Sequence, residues 1–342
     1  MLLVGNPTAQ SGKARSYLDR AKASLEARGV TTRLIATEPE GRTVPLVTAA
    51  IESDAPDVVV YMGGDGTFNE AARGILLSSR RPPLGMLPMG TANDQGRSYG
   101  LRPGASAIES NLDIVLAGHV MHLDAGVVQA LEPDGTVRAE THFFDCVGWG
   151  MQPEILARRN HDRARIGKIP ILRELYRDQA VYAGAGLKRF LASFTEPTKF
   201  DAEILCDGET HRYEGLTDLV INNTPIYAGE WVPDRRARGD DGKMELVPMQ
   251  GRRDAISKTL RDLKWLPLFQ EDLDVIGVTH SEGFGGASFE LVFDRPGREA
   301  LLTQLDGEEW IHGSRFRVTV LPNALPLLVR QDFRPPWRFW RE

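Results

Sequence analysis

Residues 58–76, VVVYMGGDGTFNEAARGIL, join a run of apolar and β-branched residues to a helical pattern. The apolar run predicts a buried strand, and Phe68, Ala72, Ile75 and Leu76 recur at the spacing of one helix face. Three glycines surround one aspartate at the junction. A strand, a glycine turn and a helix in this order form a βα unit, in which ligands bind beyond the carboxyl end of the strand.

The glycines of this turn suit an anion-binding loop. Gly63, Gly64 and Gly66 permit positive φ and close backbone approach. They precede a helix N-terminus, whose free N–H groups and dipole attract anions. Asp65 would repel a bare phosphate, so it predicts a cation such as Mg²⁺ between its carboxylate and the phosphate oxygens. The alternative is an ordinary glycine turn in which Asp65 caps the helix.

The alternation of strand and helix extends on both sides of this unit, from residue 1 to about 118. LLVG, TTRLIAT, DVVVYM and PLGMLP predict strands, and a helical pattern follows each of them. Near-continuous apolar strands are typical of a parallel sheet that is covered on both faces. We therefore predict an α/β domain over residues 1–120.

The pattern changes after about residue 119, where most segments predict strands. HVMHLDAGVVQA and VRAETHFFDCVGW flank Glu132–Gly135 and predict a hairpin. Helical stretches at about 153–192 and 254–265 interrupt the later strands. These strands are FDAEILC, TDLVINN, MELVPM, LDVIGVTH, ASFELVF and RFRVTVL. We predict a β-rich sandwich domain over residues 121–321, with the C-terminal segment 322–342 packed back on the first domain.

Composition limits the class of protein. Of the 342 residues, 42% are hydrophobic and 26% are charged, which is typical of globular proteins. No apolar run is long enough to predict a transmembrane helix, and the net charge of −6 argues against a nucleic-acid partner. The two cysteines have neither metal-ligand nor disulfide spacing, and the N-terminus lacks a basic region, so we expect a cytoplasmic protein.

Basic side chains are in excess over residues 151–191, and the C-terminal PPWRFWRE combines arginine with tryptophan and phenylalanine. Both features suit a weak peripheral contact with the inner face of a membrane. A solvated helix face and a tail packed on its own domain form the simpler interpretation. The sequence does not determine the oligomeric state and is compatible with a homodimer.

Two further polar loops follow predicted strands. PLGMLPMGTANDQGR at 83–97 again passes from a strand through glycine and threonine to a carboxylate, Asp94. The loop at 6–12, NPTAQSG, follows the first strand. Because the carboxyl ends of parallel strands meet at one edge of a sheet, we expect all three loops to converge there.

With these loops the sequence resembles the diacylglycerol kinase catalytic domain family, which includes sphingosine and ceramide kinases and bacterial soluble lipid kinases. The resemblance starts from NPTAQSGKA at 6–14, GGDGTFNE at 63–70 and LPMGTAND at 87–94, and it continues through HLDAG at 122–126, DDGKMEL at 240–246 and QLDGEEW at 304–310. NAD kinases share GGDGT, but the second motif is of the lipid-kinase type. The resemblance implies an α/β nucleotide-binding domain, a β-rich domain, and an ATP-dependent kinase whose lipid substrate is presented at a membrane surface.

The resemblance also implies roles for individual residues. Asp65, Asp94 and Asp124 would organise the catalytic Mg²⁺, partly through water, and Asp241 would hold a structural Mg²⁺. Asp306 would be the general base, with Glu308 beside it. Nucleotide contacts are implied for Asn6, Pro7, Thr8, Thr37, Gly64, Asp65, Gly66, Thr67, Asn69, Glu70 and Thr91.

The triplet Asp-Gly-Glu occurs twice, beginning at Asp207 and at Asp306. Asp207 and Gly208 lie between two strand-like runs and predict a hairpin turn. Asp306 precedes the final strand, as the catalytic triplet of the family does, so the base is assigned to Asp306. Without the resemblance the two triplets are not separable.

Two departures from the family leave the acceptor open among diacylglycerol, sphingoid bases and ceramide. Gln95-Gly96 stands where the family usually has Phe-Ala, and the glycine-rich segment after the paired asparagines is reduced to Ala228–Trp231. The alternatives are a small-molecule kinase of the NAD kinase type and a catalytically silent lipid-binding regulator. Four retained carboxylates argue against a silent protein, namely Asp65, Asp94, Asp124 and Asp306.

Overall fold

The computed structural model describes residues 1–151, 153–154, 156–157, 199–224, 234, 236–250, 282–295, 297 and 300–334. Several predicted features lie wholly or mostly outside these ranges: the helices at about 153–192 and 254–265, the basic stretch at 151–191, the strand LDVIGVTH, Ala228–Trp231 and the tail PPWRFWRE. No helix in the described ranges combines the length and the apolarity needed to span a bilayer.

The described helices and strands alternate in the first third of the chain, and strands dominate afterwards. The α-helices are α1 (Lys13–Ala27), α2 (Thr43–Asp54), α3 (Asp65–Leu76), α4 (Asp94–Ser98) and α5 (Ile108–Ala117). The strands are β1 (Leu2–Gly5), β2 (Arg33–Ala36), β3 (Val59–Gly63), β4 (Leu84–Pro88), β5 (Val120–Leu131), β6 (Val137–Phe143), β7 (Cys146–Gly150), β8 (Phe200–Cys206), β9 (Glu209–Leu216), β10 (Asp218–Asn222), β11 (Met244–Met249), β12 (Phe284–Gly286), β13 (Ser288–Asp294), β14 (Leu301–Leu305), β15 (Glu308–Gly313) and β16 (Arg315–Leu328).

The predicted parallel sheet is confirmed. Strands β2, β1, β3 and β4 lie side by side in that order, and every pair is parallel. Leu18 on α1 and Leu112 on α5 pack against one face of the sheet. Val47 on α2 and Phe68 on α3 pack against the other. Because apolar helices cover both faces, β1, β3 and β4 are buried almost throughout, which explains their unbroken apolar sequence, whereas the edge strand β2 is mostly exposed.

A single long strand, β16, joins this sheet to the second half of the chain. Its last residues lie beside β4 in parallel, with Leu327 opposite Leu84. Its first residues pair with β13, and β5 runs antiparallel along most of its length. A break in register between Leu321 and Leu325 separates the two parts. The ten-stranded sheet is therefore continuous from the α/β half into the β-rich half.

The β-rich half is a sandwich. A six-stranded antiparallel sheet, in the order β12-β11-β10-β7-β14-β15, packs face to face on the extended part of the first sheet. Trp149 is fully buried between them and contacts the rings of Phe293 and Phe316 at centroid distances of 5.3 and 5.2 Å. The predicted hairpin of β5 and β6 is present. The fold class, a parallel α/β sheet with a second β-rich unit, is confirmed.

Segments from the C-terminal part also enter the core of the α/β half. Leu325, Leu327 and Val329 are buried in the same apolar cluster as Leu2 and Val4. The boundary near residue 120 and the assignment of 322–342 to the first domain stay predictions.

Candidate active site

The carboxyl ends of β1, β3 and β4 open into one cavity of about 420 Å³. Its walls come from the β1–α1 loop, the first turns of α1, and the turns that follow β3 and β4. The lining residues are Asn6, Ala9, Ala14, Tyr17, Leu18, Met62, Gly63, Gly64, Thr67, Met89, Gly90 and Thr91. Four of the predicted nucleotide contacts, Asn6, Gly64, Thr67 and Thr91, therefore lie in one lining.

Three other predicted contacts, Pro7, Thr8 and Thr37, lie in or are hydrogen-bonded to the chain around Asn6. Asn6 Oδ1 accepts hydrogen bonds from the backbone N–H of Thr8 at 2.9 Å and from its hydroxyl at 2.8 Å, which shapes the turn that contains Pro7. Thr37 follows β2, and its N–H donates to Gly5 O at 3.0 Å. The sequence reasoning missed Tyr17, whose partly buried ring offers a flat apolar surface to an aromatic ligand.

Two glycine turns touch each other beside this cavity. A Cβ on Gly90 would lie 2.5 Å from Gly64 Cα, and Met89 N–H donates to Gly63 O at 2.7 Å. Gly64 is extended, with φ −93° and ψ −169°, and Gly63 and Gly66 also lack positive φ. None of these three glycines uses the positive φ that glycine permits, and the close approach of the two loops requires glycine most strictly at residue 90.

We expect Gly90→Ala to destabilise the fold by about 1–3 kcal/mol, because the added methyl group would clash with backbone that cannot move aside. Gly66→Ala is the matched comparison, since its Cβ would meet only the end of the Glu308 side chain, at 3.0 Å. Urea unfolding of both variants checks this. Equal stability of the two variants would contradict the close packing of the loops.

Asp65 links the turn after β3 to the turn after β4 by a hydrogen bond. It occupies the first turn of α3, and its Oδ2 accepts a hydrogen bond from Asn93 N–H at 2.9 Å. Asn93 has a positive φ of 55°, and its side-chain amide accepts from Gly90 N–H and donates to Gly90 O, each at 2.7 Å. Asp65 Oδ1 is buried without a hydrogen-bond partner among the described residues. Burial raises the pKa of Asp65.

Asp306 lies on the two-residue turn between β14 and β15. Asp306 and Gly307 have φ of 50° and 80°, and Leu305 pairs with Glu308 across the turn. Its Oδ1 accepts from Asp145 N–H at 2.8 Å and from Cys146 N–H at 3.0 Å, and its Oδ2 accepts from Phe144 N–H at 3.0 Å. Burial raises the pKa of Asp306 to about 6, against the lowering effect of Arg73 and of these donors.

Asp207 occupies an equivalent turn between β8 and β9, as the hairpin prediction expected. Asp207 and Gly208 have φ of 48° and 95°, and Cys206 pairs with Glu209. The carboxylate accepts from Ala287 N–H at 3.0 Å and from Ser288 N–H at 2.9 Å. The two triplets therefore fold alike, and only their position in the sandwich separates them.

The sequence reasoning missed a buried carboxyl group beside Asp306, that of Asp145. Asp145 is 5% exposed and accepts a short hydrogen bond from the Thr224 hydroxyl. Burial raises the pKa of Asp145 well above its usual range, and the negative charges of Asp94, Asp306 and Asp65 raise it further. Carboxylates from four separate loops therefore gather in one region. A lone acid within the apolar run HFFDCVGW was the available sequence signal.

One face of α3 turns toward the β14–β15 turn. Gly66, Glu70 and Arg73 lie on this face because they are spaced by four and three residues. A Cβ on Gly66 would meet Glu308 Oε1 at 3.0 Å. Burial raises the pKa of Glu70, and the nearby Glu308 raises it further. Asn69, a predicted nucleotide contact, is 3% exposed, and its side-chain oxygen has no partner in the described residues.

Asp124 is fully buried and binds backbone on two sides. Its Oδ1 accepts from Asn323 N–H and its Oδ2 from Gly242 N–H, both at 2.7 Å. These bonds join the register break in β16 to the loop that contains Asp240 and Asp241. Asp241 Oδ1 accepts from Lys243 N–H at 3.2 Å, and burial raises the pKa of both Asp124 and Asp241. Asp124 is therefore hydrogen-bonded to this loop. The charges of Asp65 and Asp94, in contrast, raise the pKa of Asp145.

The donor set decides what kind of metal site fits. Within the ranges given above, no three histidine, cysteine, aspartate or glutamate side chains are arranged to ligate one ion directly. Mg²⁺ usually takes one or two carboxylates, several waters and substrate phosphates rather than an all-protein cage. The unpartnered Asp65 Oδ1 and the neighbouring Asp94 fit that arrangement.

Comparison with known proteins bears on the identity of this site. Residues 1–128 match the model of the diacylglycerol kinase catalytic domain. Over 124 residues the chain is 37% identical to a diacylglycerol kinase of Staphylococcus epidermidis, an alignment that covers 36% of this chain and 38% of that protein. A diacylglycerol kinase of Staphylococcus carnosus is 26% identical over 259 residues, or 72% of each chain.

Solved structures share the fold over a longer stretch. A diacylglycerol kinase from Bacillus anthracis superposes with a TM-score of 0.67 at 17% identity, covering 96% of both chains. Yeast NADH kinase superposes with a TM-score of 0.52 at 12% identity, covering all of this chain and 86% of that one. The resemblance found in the sequence is confirmed, and the part that matches the family model is residues 1–128.

Proposed function

From this match we propose that the chain is an ATP-dependent lipid kinase. It would transfer the γ-phosphoryl group of ATP to a hydroxyl of diacylglycerol or of a related lipid, such as a sphingoid base or ceramide. The observation that carries the proposal is the position of Asp306, a half-buried carboxylate on the turn whose Glu308 reaches Gly66 in the first turn of α3.

Asp306 suits the role of general base. Three backbone N–H groups fix its orientation, and Oδ2 takes one of these bonds at 3.0 Å, so it keeps a lone pair for a hydroxyl group. The lipid hydroxyl would give its proton to Oδ2 as its oxygen bonds to the γ-phosphorus, and ADP would leave. A positioned base of this kind contributes about 10²–10⁴-fold to the rate.

The cavity suits the nucleotide. Asn6, Thr67 and Thr91 offer polar contacts, and Gly63 and Gly64 bring backbone close to the phosphates before α3 begins. The N-terminus of α3 favours negative charge. Asp65 and Asp94 would hold Mg²⁺, with Asp124 acting through water and Asp241 holding a structural ion. The metal would supply charge neutralisation on the transferred phosphoryl group.

An acceptor screen tests the proposal. Wild-type protein is incubated with [γ-³²P]ATP, Mg²⁺ and either mixed micelles of dioleoylglycerol, ceramide or sphingosine, or soluble NAD. We expect label in the chloroform-extractable lipid. Label in NADP alone would support a small-molecule kinase, and absence of Mg²⁺-dependent turnover with every acceptor would support a silent lipid-binding protein.

The raised pKa of Asp306 predicts the acid limb of the pH profile. The base acts only when ionised, and burial raises its pKa to about 6. We therefore expect kcat/KM for the lipid to fall as the pH drops, with a midpoint near pH 6. Initial rates between pH 5 and 8 at fixed free Mg²⁺ measure this. A flat profile down to pH 5 would contradict the assignment.

A further inference from the structure

We propose that Arg73 is a positioning residue of the phosphotransfer reaction, which fastens helix α3 to the segment that holds Asp306 and places a fixed positive charge near that carboxylate. The inference rests on the proposed function, in which α3 begins at the nucleotide and Asp306 is the base. Nothing in the sequence motifs assigns a role to Arg73.

A chain of contacts leads from α3 to Asp306. Arg73 Nε donates a hydrogen bond to His142 O at 2.9 Å. His142 is the last residue but one of β6, and Phe144, Asp145 and Cys146, just beyond the end of that strand, provide the three N–H groups that hold Asp306. Arg73 therefore fixes the segment 142–146 against the same helix whose first turn carries Asp65.

Packing alone already joins this segment to α3. The rings of Phe68 and Phe144 meet edge to face at 5.6 Å, and Phe68 is fully buried. The partly buried Arg73 adds a directional hydrogen bond and a positive charge, which the apolar contact does not provide. Within the described ranges, Arg73 forms no ion pair with a carboxylate within 4.0 Å.

The charge acts on the carboxylates of the cleft. Arg73 lowers the pKa of Asp306 against the effect of burial, and it does the same for Glu70. It also lowers the pKa of His142. Among the described residues, the acidic groups near Asp306 act in the opposite direction to Arg73, whereas burial lowers the pKa of the nearby His142. The acidic groups are Asp145 on the β6–β7 segment, with the Cys146 thiol next to it, Asp94 and Asp65 beyond Asp145, and Glu308 on β15.

Two substitutions separate the hydrogen bond from the charge. Arg73→Gln removes both the charge and the Nε donor, whereas Arg73→Lys keeps the charge and removes only the Nε donor. We expect Arg73→Gln to lower kcat by about 10-fold or more and to move the acid limb upward by about one pH unit, because an opposite charge is lost. In Arg73→Lys the acid limb of the pH profile should lie closer to its wild-type position than in Arg73→Gln, but kcat should stay low. The KM for ATP should change little in either variant, since Arg73 does not line the cavity.

Arg212→Gln is the matched control. Arg212 lies on β9, its side chain is 75% exposed, and it pairs with Glu203 at 2.8 Å, so its loss should leave kcat and the acid limb unchanged. A readout independent of turnover is the ¹³C NMR titration of labelled aspartate carboxyl groups. The resonance that disappears in Asp306→Asn should titrate at higher pH in Arg73→Gln.

The outcomes distinguish the two proposals. If the wild type transfers phosphate and Arg73→Gln loses activity and thermal stability together, with the acid limb and the Asp306 resonance unmoved, Arg73 is only structural and the inference is wrong. If the wild type phosphorylates no acceptor, the proposed function fails, and the role of Arg73 in phosphotransfer fails with it. If the Asp306 resonance still titrates at higher pH in Arg73→Gln, that result supports only the electrostatic effect of Arg73 on Asp306.

Discussion

Replacing Asp306 with asparagine is expected to lower kcat for lipid phosphorylation by about 10²–10⁴-fold, whereas the same replacement at Asp207 is expected to leave kcat unchanged. The reason is chemical. An asparagine side chain fits a turn position with positive φ, such as the 50° of Asp306, but its amide nitrogen cannot accept the proton of the attacking hydroxyl.

Asp207 makes this comparison sharp because it shares the triplet, the turn geometry and backbone N–H donors with Asp306. In each variant an amide N–H₂ replaces one acceptor oxygen, so both should lose a similar amount of stability, about 1–3 kcal/mol. Steady-state kinetics with thermal melts measure both effects. Equal activity of the two variants would remove Asp306 from the mechanism.

The second large effect is expected at Asp65. We expect Asp65→Asn to lower kcat by about 10²–10³-fold and to raise the Mg²⁺ concentration needed for half-maximal activity. The substitution removes the charge of a carboxylate whose Oδ1 has no partner in the described part of the chain, and it weakens the bond that Oδ2 accepts from Asn93 at 2.9 Å.

A magnesium titration of activity at saturating ATP checks the effect of Asp65→Asn. Asp19→Asn is the control, since Asp19 is an exposed aspartate on α1. Both variants should remain folded by circular dichroism. Full turnover of Asp65→Asn with an unchanged magnesium requirement would mean that the GGDGT turn is a structural glycine turn, with Asp65 as its helix cap.

The α/β half was predictable because its signals are local. Buried parallel strands are short apolar runs, and Leu18, Ala21 and Leu25 repeat at helical spacing on α1. Glycines at or just after the ends of β1, β3 and β4, namely Gly5, Gly63 and Gly90, marked the edge where the cavity lies. Helix α4 escaped prediction because Asp94–Ser98 is only five residues long, too short for a periodic pattern.

The long-range features were not predictable for a physical reason. Strand β16 passes from the sandwich into the parallel sheet through a register break at Leu321–Leu325, and such pairing depends on partners far along the chain. Asp306 and Asp207 have the same local sequence and the same turn, so only the resemblance to a family separated them. The contacts that suggest roles for Arg73 and Asp145 are made with residues about 70 and about 160 positions away along the chain.

We propose that a nucleotide in the β1–β3–β4 cavity meets Asp306 across the start of α3. The decisive experiment is a crystal structure of Asp306→Asn with Mg²⁺ and a non-hydrolysable ATP analogue. We expect electron density for the nucleotide in contact with Asn6, Thr67 and Thr91, with its terminal phosphate on the side of Asp94 and residue 306. Density elsewhere on the chain, or a terminal phosphate directed away from residue 306, would contradict it.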